Sequence, residues 1–434
     1  MDTVRIGLAG FGTVGQGLAS ILRDHGDWIA RRLDARIAIK SVLVRNLAKP
    51  RSIALGPDVV FTTDPDSLVN DPELFCIVEL MGGIEAPRAL ITRALRAGKH
   101  VVTANKHLLA EHGPELFALA AEQGVGLYYE ASVAGGIPVI QTLKESLAGD
   151  RIREVLGILN GTANYILSEM TSSTSRLDFD TALRQAQDLG YAEADPTLDI
   201  EGFDTAHKLV VLIRLAFGCD YPLAKLRVEG ITRVTRLDIE FAREFGYRVK
   251  LMASAREVNG RIEAGVYPAF VKYTYLLARV GGNYNAVRVE GEAVGPVMLH
   301  GQGAGATPTG NAVLADIMAL IRHRRCSGCG PDNTGFGNTA LPPAAVLPPE
   351  EAVSCHYLRF TVQDKPGVMA AIARAMAERG VSIAQAVQKG EAGHNLVPLV
   401  FLTHEAPYAA VRATMDAIDA MDFIAEPTVH FRIL

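Results

Sequence analysis

Asp204 and Lys208 stand one helical turn apart and carry the clearest chemistry in this chain. On a helix, residues i and i+4 share a face, so the pair can act on one bound molecule. They close the stretch Asp188-Leu-Gly-Tyr-Ala-Glu-Ala-Asp-Pro-Thr-Leu-Asp-Ile-Glu-Gly-Phe-Asp-Thr-Ala-His-Lys208, which also holds Glu193, Asp195, Asp199 and Glu201. An apolar helical run, residues 209–217, follows at once. Carboxylates suit an ammonium group on a substrate. A lysine ammonium suits an oxygen that develops negative charge, because it is both a proton source and an electrostatic stabiliser. The plainer alternative is a solvated acidic loop, since charged side chains mostly sit in water.

Such a pair needs a scaffold and a second reactant, and the N-terminus supplies the signal for both. Val4-Arg-Ile-Gly-Leu-Ala9 reads as a strand, Gly10-Phe-Gly12-Thr-Val-Gly15 follows, and a helical pattern begins at Val14, Leu18, Ile21 and Leu22. Strand, G-x-G-x-x-G and helix in that order form the dinucleotide fingerprint. The first glycine makes the turn, the second lets backbone approach a pyrophosphate, and the third lets helix and strand pack closely. The free N–H groups of the helix start, at Thr13 and Val14, then favour the anion. A second strand over residues 37–44 ends at Arg45, with Lys49 and Arg51 behind it. An arginine there accommodates a 2′-phosphate, whereas NAD sites usually place an acid, so NADP(H) is expected ahead of NAD(H). Two further strands, within 75–83 and 100–106, end at Gly82-Gly83 and Thr103-Ala-Asn-Lys106. Strand ends are where an open α/β sheet binds its ligands.

Composition narrows the function classes. With 49% hydrophobic and 21% charged residues among 434, the chain reads as a globular protein of two or three domains. A formal charge of −5 with no basic stripe argues against nucleic acid. No apolar run suggests a membrane span, and no signal segment precedes the first strand, so a cytoplasmic protein is expected. The five cysteines (76, 219, 326, 329, 355) are an odd, scattered set, unlike a disulfide framework. Cys326 and Cys329 form a C-x-x-C with no second pair to complete a zinc site.

The 188–208 segment, read with the glycine-rich N-terminus, closely resembles homoserine dehydrogenases. So do Val-Thr-Ala-Asn-Lys106 with His-Leu-Leu-Ala after it, Tyr-Tyr-Glu-Ala-Ser-Val-Ala-Gly-Gly-Ile-Pro138, Gly157-Ile-Leu-Asn-Gly-Thr-Ala-Asn-Tyr-Ile166, and Gly301-Gln-Gly-Ala-Gly-Ala-Thr-Pro-Thr-Gly-Asn311. The likeness runs from Val4 to about Ile321. It implies NAD(P)-dependent interconversion of L-homoserine and L-aspartate 4-semialdehyde, in threonine, methionine and isoleucine biosynthesis. Lys208 and Lys106 would be catalytic, and Glu193, Asp199 and Asp204 would bind substrate. The cofactor would meet Gly10, Gly12, Thr13, Val14, Gly15, Arg45, Lys106 and Gly303. Gln302 stands where the family usually has proline, which leaves a backbone role for Gly303 intact. The resemblance also implies a monovalent metal ion, commonly sodium, on Glu130 and the carbonyls of Val133, Gly135 and Ile137. Oxygen ligands suit a hard cation, and the plainer reading is that Glu130 caps a turn.

Residues 323–350 are dense in glycine and proline and read as a linker rather than a packed element. Beyond it, strands and helices follow in βαββαβ order: strand 355–362, turn Asp364-Lys-Pro-Gly367, helix 368–378, strands 381–389 and 396–403, helix 408–421 and strand 428–434. This order resembles the ACT domain, which implies threonine as effector and a homodimer or homotetramer. The expected architecture is α/β: a Rossmann-type dinucleotide-binding domain (1–130), an α+β catalytic and dimerisation domain (131–322, with helix 309–322 returning to the first), a linker (323–350) and an ACT domain (351–434). Two other readings stay open. One is a catalytically inactive ACT-containing sensor. The other is a different semialdehyde oxidoreductase; a phosphorylating one would need a nucleophilic cysteine, which neither Cys76 nor Cys219 suits.

Overall fold

A computed structural model describes residues 2–172, 174–175, 177–325, 331–337, 340–389 and 395–434. The chain divides into two compact units. One comprises Met1–Gly161, Asp204–Lys225 and Asn283–Ala344, and the other Thr162–Phe203, Leu226–Gly282 and Ala345–Leu434. Cys326 and Cys329 lie outside the described residues. No described helix is long and apolar enough to cross a membrane.

The first unit is built on a six-stranded parallel sheet of β1 (Asp2–Ala9), β2 (Ala35–Leu43), β3 (Val60–Thr62), β4 (Leu74–Glu79), β5 (His100–Thr103) and β6 (Leu127–Tyr128). Its order, β3-β2-β1-β4-β5-β6, is that of a doubly wound dinucleotide-binding sheet. Strands buried on both faces read as apolar runs, and Ile6, Leu8, Val42, Val78 and Val102 are fully covered here. The strands expected through Gly83 and Lys106 stop earlier. β4 ends at Glu79 because Gly82 and Gly83 take φ of 74° and 79°. β5 ends at Thr103 because Asn105 caps a new helix, its Oδ1 accepting the Leu108 N–H at 3.1 Å.

Helix Ala306–Arg325 returns to this sheet and packs on helix Thr13–Leu33. Two glycines permit the approach: a Cβ on Gly310 would lie 2.7 Å from the Leu18 amide nitrogen, and one on Gly17 would strike the Ala306 carbonyl. Val313, Ile317 and Leu320 then share a core with Ile6, Leu8 and Val102. Three antiparallel strands in the same unit, Ile152–Ile158, Tyr284–Gly291 and Gly295–Gln302, carry the chain to the site described below.

In the second unit the strand order is Tyr247–Val258, Arg261–Lys272, Ile424–Ile433, Val353–Gln363, Leu396–Thr403, Ile383–Gln388. Asn259 and Gly260, at φ 51° and 76°, turn the first hairpin, as a two-residue Asn-Gly loop does. The C-terminal βαββαβ module packs helices Val368–Glu378 and Tyr408–Asp419 over Leu358, Phe360, Leu399 and Phe401. Its last strand pairs in parallel with Arg261–Lys272, setting Ala269 against Arg432 and Phe270 against Ile433.

The proline-rich segment before this module is paired, not loose. In the first unit the Asp220 N–H donates to the Pro342 carbonyl and the Ala344 N–H to the Asp220 carbonyl, both at 2.9 Å. In the second, the Ile262 N–H donates to Ala345 at 2.7 Å and the Leu347 N–H to Ile262 at 2.9 Å. Proline lacks a donor but keeps its carbonyl, so composition alone could not exclude these bonds.

Candidate active site

Asp204 and Lys208 fall on helix Phe203–Phe217, which is buried along most of its length. Lys208 Nζ donates to Asp204 Oδ2 and to the Leu159 carbonyl, each at 2.6 Å. Lys106 begins helix Lys106–Glu122, and its Nζ lies 3.1 Å from Asp204 Oδ1. Asn160 Nδ2 donates to Asp204 Oδ2 at 2.9 Å. One buried carboxylate thus faces two ammonium groups. Burial by itself would raise the Asp204 pKa, but the charges of Lys208 and Lys106 and the bonds from Lys208 and Asn160 prevail and hold it well below the usual carboxylate range. The Lys106 side chain keeps 38% of its exposure against 11% for Lys208, so the cluster opens on the Lys106 side.

The end of β5 is held by a residue the sequence reading passed over. Glu79 is fully buried. Its Oε2 accepts the Thr103 hydroxyl at 2.6 Å, while Oε1 accepts the Met81 N–H at 2.7 Å. Burial raises its pKa, partly offset by these donors. Asn105 ties the same corner to Gly83, donating to its carbonyl at 2.7 Å. Glu79 therefore fixes the Gly82-Gly83 turn to the strand end that presents Lys106. A charged residue inside the otherwise apolar Phe75-Cys-Ile-Val-Glu run was the available signal.

His107 and His207 stack beside this cluster, with centroids 4.2 Å apart and planes at 14°, and Glu111 bonds His107 at 2.8 Å. Together the three could offer metal ligands. Parallel stacked rings, however, cannot both point a lone pair in-plane at one ion. Burial also pushes His207 down to about 4, so a neutral His207 packs against the His107 ring.

At the glycine turn, Gly10 has φ of 104°, and a Cβ there would lie 2.6 Å from the Leu80 carbonyl oxygen. A Cβ on Gly15 would lie 2.8 Å from the Gly10 carbonyl oxygen. Gly12 and Thr13 are exposed, and no side chain caps the helix that starts at Thr13. This uncapped start with open backbone fits a pyrophosphate. Val14 is half-buried behind it. Of the cations after β2, Arg51 is committed to the loop, donating to the carbonyls of Asn46, Leu47 and Lys49 and lying over Phe61. Arg45 and Lys49 are exposed. Gly303 packs on Asn285 and faces the Gly135 turn.

Glu130 is buried, and its oxygens accept the N–H groups of Ile140 at 2.9 Å and Gln141 at 2.8 Å. It does cap a turn. Its pKa is nonetheless raised to about 7, chiefly by burial, and the neighbouring buried Asp316 is raised as well. Val133 and Ile137 are buried beside it, Gly135 takes φ of 55°, and the Ile137 carbonyl already accepts the Val139 N–H. A buried carboxyl pair whose charge the protein leaves poorly compensated fits a small cation.

Glu193 and Asp199 belong to the second unit. Glu193 is exposed, and its carbonyl accepts Gln187 Nε2 at 3.2 Å. Asp199 is half-buried in the short helix Thr197–Ile200. The structure therefore gathers Lys106, Asp204 and Lys208 within one unit and carries Glu193 and Asp199 in the other. Burial pushes the thiols of Cys76 and Cys219 up to about 12 and about 11, so neither is a thiolate nucleophile at neutral pH.

A doubly wound parallel sheet with an open glycine turn, and a lysine pair on one buried carboxylate, define a nicotinamide-dinucleotide-dependent oxidoreductase. Residues 10–130 match the family model "Homoserine dehydrogenase, NAD binding domain", residues 138–318 match "Homoserine dehydrogenase", and residues 356–421 match "ACT domain". The homoserine dehydrogenase of Neisseria gonorrhoeae is 41% identical, spanning 100% of this chain and 99% of its own. That of Bacillus subtilis is 38% identical over the same shares. The crystal structure of a homoserine dehydrogenase from Thiobacillus denitrificans superposes with a TM-score of 0.94 at 42% identity, covering 100% of this chain and 99% of that one. A hyperthermophilic archaeal homoserine dehydrogenase solved in complex with NADPH covers 74% of this chain and 98% of its own, with TM-score 0.62 and 27% identity. The chain belongs to the homoserine dehydrogenase family.

Proposed function

We propose that the chain interconverts L-homoserine and L-aspartate 4-semialdehyde with NADP(H) in preference to NAD(H), and that Lys208 is its proton donor. The observation that carries this reading is the Asp204 carboxylate shared by Lys106 and Lys208. When bound, the nicotinamide supplies the hydride for the aldehyde carbon. Lys208 gives a proton from Nζ to the oxygen that becomes the alcohol, and Lys106 polarises that oxygen from the cofactor side. Asp204 keeps both ammonium groups in place. By the family resemblance, Glu193 and Asp204 would contact the substrate and Asp199 would organise the same site. In the direction of oxidation the same lysine, deprotonated, takes the hydroxyl proton. The test is homoserine-dependent reduction of NADP⁺ by wild type and Lys208→Ala, with cofactor binding followed separately.

Gly10, Gly12, Thr13, Val14, Gly15, Lys106 and Gly303 would contact the cofactor, with the exposed Arg45 taking the 2′-phosphate. Glu130 with the carbonyls of Val133, Gly135 and Ile137 would hold a sodium ion, which supplies charge compensation to the turn. Threonine would act through the C-terminal module. That reading is supported by the pairing of strand Ile424–Ile433 with Arg261–Lys272 and by Arg227, whose guanidinium lies 3.7 Å over the Tyr408 ring. The enzyme would act in the cytoplasm as a homodimer or homotetramer, in threonine, methionine and isoleucine biosynthesis.

A further inference from the structure

Among the described residues, Asp204 is bonded by Lys208, Lys106 and Asn160, and the two lysines do not by themselves fix geometry. A lysine side chain is long and flexible, and a carboxylate turns through a broad, two-fold torsion, so a Lys-Asp-Lys cluster alone could settle in several arrangements. The third partner is Asn160. Its amide is neutral, buried and planar, and it donates to Asp204 Oδ2 at 2.9 Å. The backbone that carries it has little freedom. Asn160 follows strand Ile152–Ile158 and stands just before helix Gly161–Thr171, and a Cβ on Gly161 would lie 2.8 Å from the Asn283 carbonyl oxygen. The residue before it, Leu159, offers its carbonyl to Lys208 Nζ at 2.6 Å.

We infer that Asn160 is a positioning residue for proton transfer: with the Leu159 carbonyl it fixes the Asp204 carboxylate and the Lys208 ammonium so that one N–H of Lys208 is left to aim at the substrate oxygen. An ammonium has three protons. One is bonded to Asp204 Oδ2 and one to the Leu159 carbonyl, which sets the direction of the third. Asn160 keeps Oδ2 turned to Lys208 while Oδ1 faces Lys106, so the separation of the two lysines is set by one carboxylate plane. A neutral amide suits this task because it cannot compete for the proton in transit. An aspartate in its place would supply no donor and would repel Asp204.

The inference rests on Lys208 being the proton donor, and a double-mutant cycle in the full-length enzyme separates the two claims. Asn160→Ala is expected to lower kcat by roughly 10- to 100-fold, the worth of one hydrogen bond to a charged group in a transition state. The KM for NADP(H) and the melting temperature should stay near wild type. The primary deuterium isotope effect with 4-deuterated cofactor should grow as chemistry becomes rate-limiting. In a Lys208→Ala background the same change should cost no more than about threefold, because residues acting as a unit are not additive. Asn160→Ser, which keeps a shorter donor, should lie between, and it carries the same cycle if the alanine variant does not fold. The inference is overturned if Asn160→Ala keeps kcat within about threefold of wild type, or if its loss is undiminished when Lys208 is absent. Should Lys208→Ala itself retain most of its turnover, the reading of Lys208 falls and takes this one with it. A crippled Lys208→Ala with a fully additive cycle sinks only Asn160.

Discussion

Asp204 in the first unit and Asp238 in the second are both buried carboxylates that bind basic side chains, yet their surroundings differ in kind. Asp238 accepts Arg359 Nε at 2.6 Å and Nη2 at 3.1 Å, the Tyr357 hydroxyl at 2.9 Å, the Thr235 hydroxyl at 2.6 Å and, as part of a capping box, the Thr235 N–H at 3.1 Å. Its partners are planar or rigid, and arginine does not give up its proton. Asp204 instead holds two lysines, which can transfer a proton, and one of them is partly exposed. The same ion-pair chemistry is locked in one place and left able to react in the other. Asp238 also joins helix Arg236–Glu244 to strand Val353–Gln363 of the ACT module, so its task is to hold two pieces of the second unit together.

This contrast breaks if the two sites respond alike to mutation. On the proposed reading, Lys208→Ala should lower kcat by about 10²–10⁴ with cofactor binding unchanged and a smaller loss of stability than at Asp238, because Lys106 and Asn160 still bond Asp204. Retention of more than roughly a third of the activity, far outside that range, would remove Lys208 from the chemistry. Asp238→Ala should do the reverse. It strands a buried guanidinium and a buried phenol, and breaking such a pair costs about 3–5 kcal/mol of stability. Denaturant unfolding should register that loss, with kcat per folded molecule little changed. A large fall in kcat at unchanged stability would place Asp238 in the reaction and erase the distinction.

Deleting the chain after residue 345 tests the same junction more coarsely. The segment's composition suggests a cut that leaves the rest intact, but the pairing of Ile262 with Ala345 and Leu347, and of Arg261–Lys272 with Ile424–Ile433, predicts otherwise. The truncated chain would expose the Ala269–Phe270 edge and orphan Asp238 in one step. It should be markedly less stable by denaturant unfolding and prone to aggregate by light scattering, beyond any loss of threonine inhibition. A truncated enzyme with wild-type stability would mean that the module is docked, not built in.

What could be read ahead of the structure follows from distance along the chain. Asp204 and Lys208 were legible because helical spacing sets their relation, Gly10 to Gly15 because a turn and a helix start are local, and helix Val368–Glu378 because the Asp364-Lys-Pro-Gly turn announces it. The Asn259-Gly260 hairpin carried an equally local signal and was passed over. By contrast, the bonds from Asn160 to Asp204 and from Arg359 to Asp238 join residues far apart in sequence and leave no spacing to read. The crossing at Gly17 and Gly310 is of the same kind, since each glycine looks ordinary until the two helices meet. Glu79 lay between these cases: its presence in an apolar strand was visible, but its partners Thr103 and Met81 were not.

On the proposed reading, cofactor choice is a smaller effect that would rest on the exposed Arg45. Arg45→Asp should raise the KM for NADPH relative to that for NADH by about tenfold or more, because a carboxylate would face the 2′-phosphate. Parallel Michaelis constants decide it, and an unchanged ratio would make Arg45 a solvated side chain. The comparison of buried charges predicts that Lys208→Ala leaves this ratio alone, which separates nucleotide recognition from proton transfer.

Glu130 sharpens the comparison by being a buried carboxylate with no bonded cationic side chain among the described residues. Its donors are backbone N–H groups, and Lys144, which lowers its pKa through space, donates its Nζ proton to the Asp332 carbonyl. Burial therefore prevails and lifts it from 4.5 to about 7. The sign follows from proton uptake. A carboxyl whose folded pKa lies above its unfolded value contributes stability below the unfolded value, and that contribution is lost as pH rises through the folded one. Without a small cation, the protein should lose stability between about pH 4.5 and pH 7 on this account. A sodium ion held at Glu130, as proposed, would bind the ionised form, so it should return that stability only where Glu130 is ionised. Melting temperatures in sodium chloride and in tetramethylammonium chloride at equal ionic strength should differ more at about pH 8 than at about pH 5.5, and Glu130→Gln should remove the difference. Equal gains at both pH values, or a gain that survives Glu130→Gln, would mean that sodium acts elsewhere and that Glu130 is only the cap of its turn.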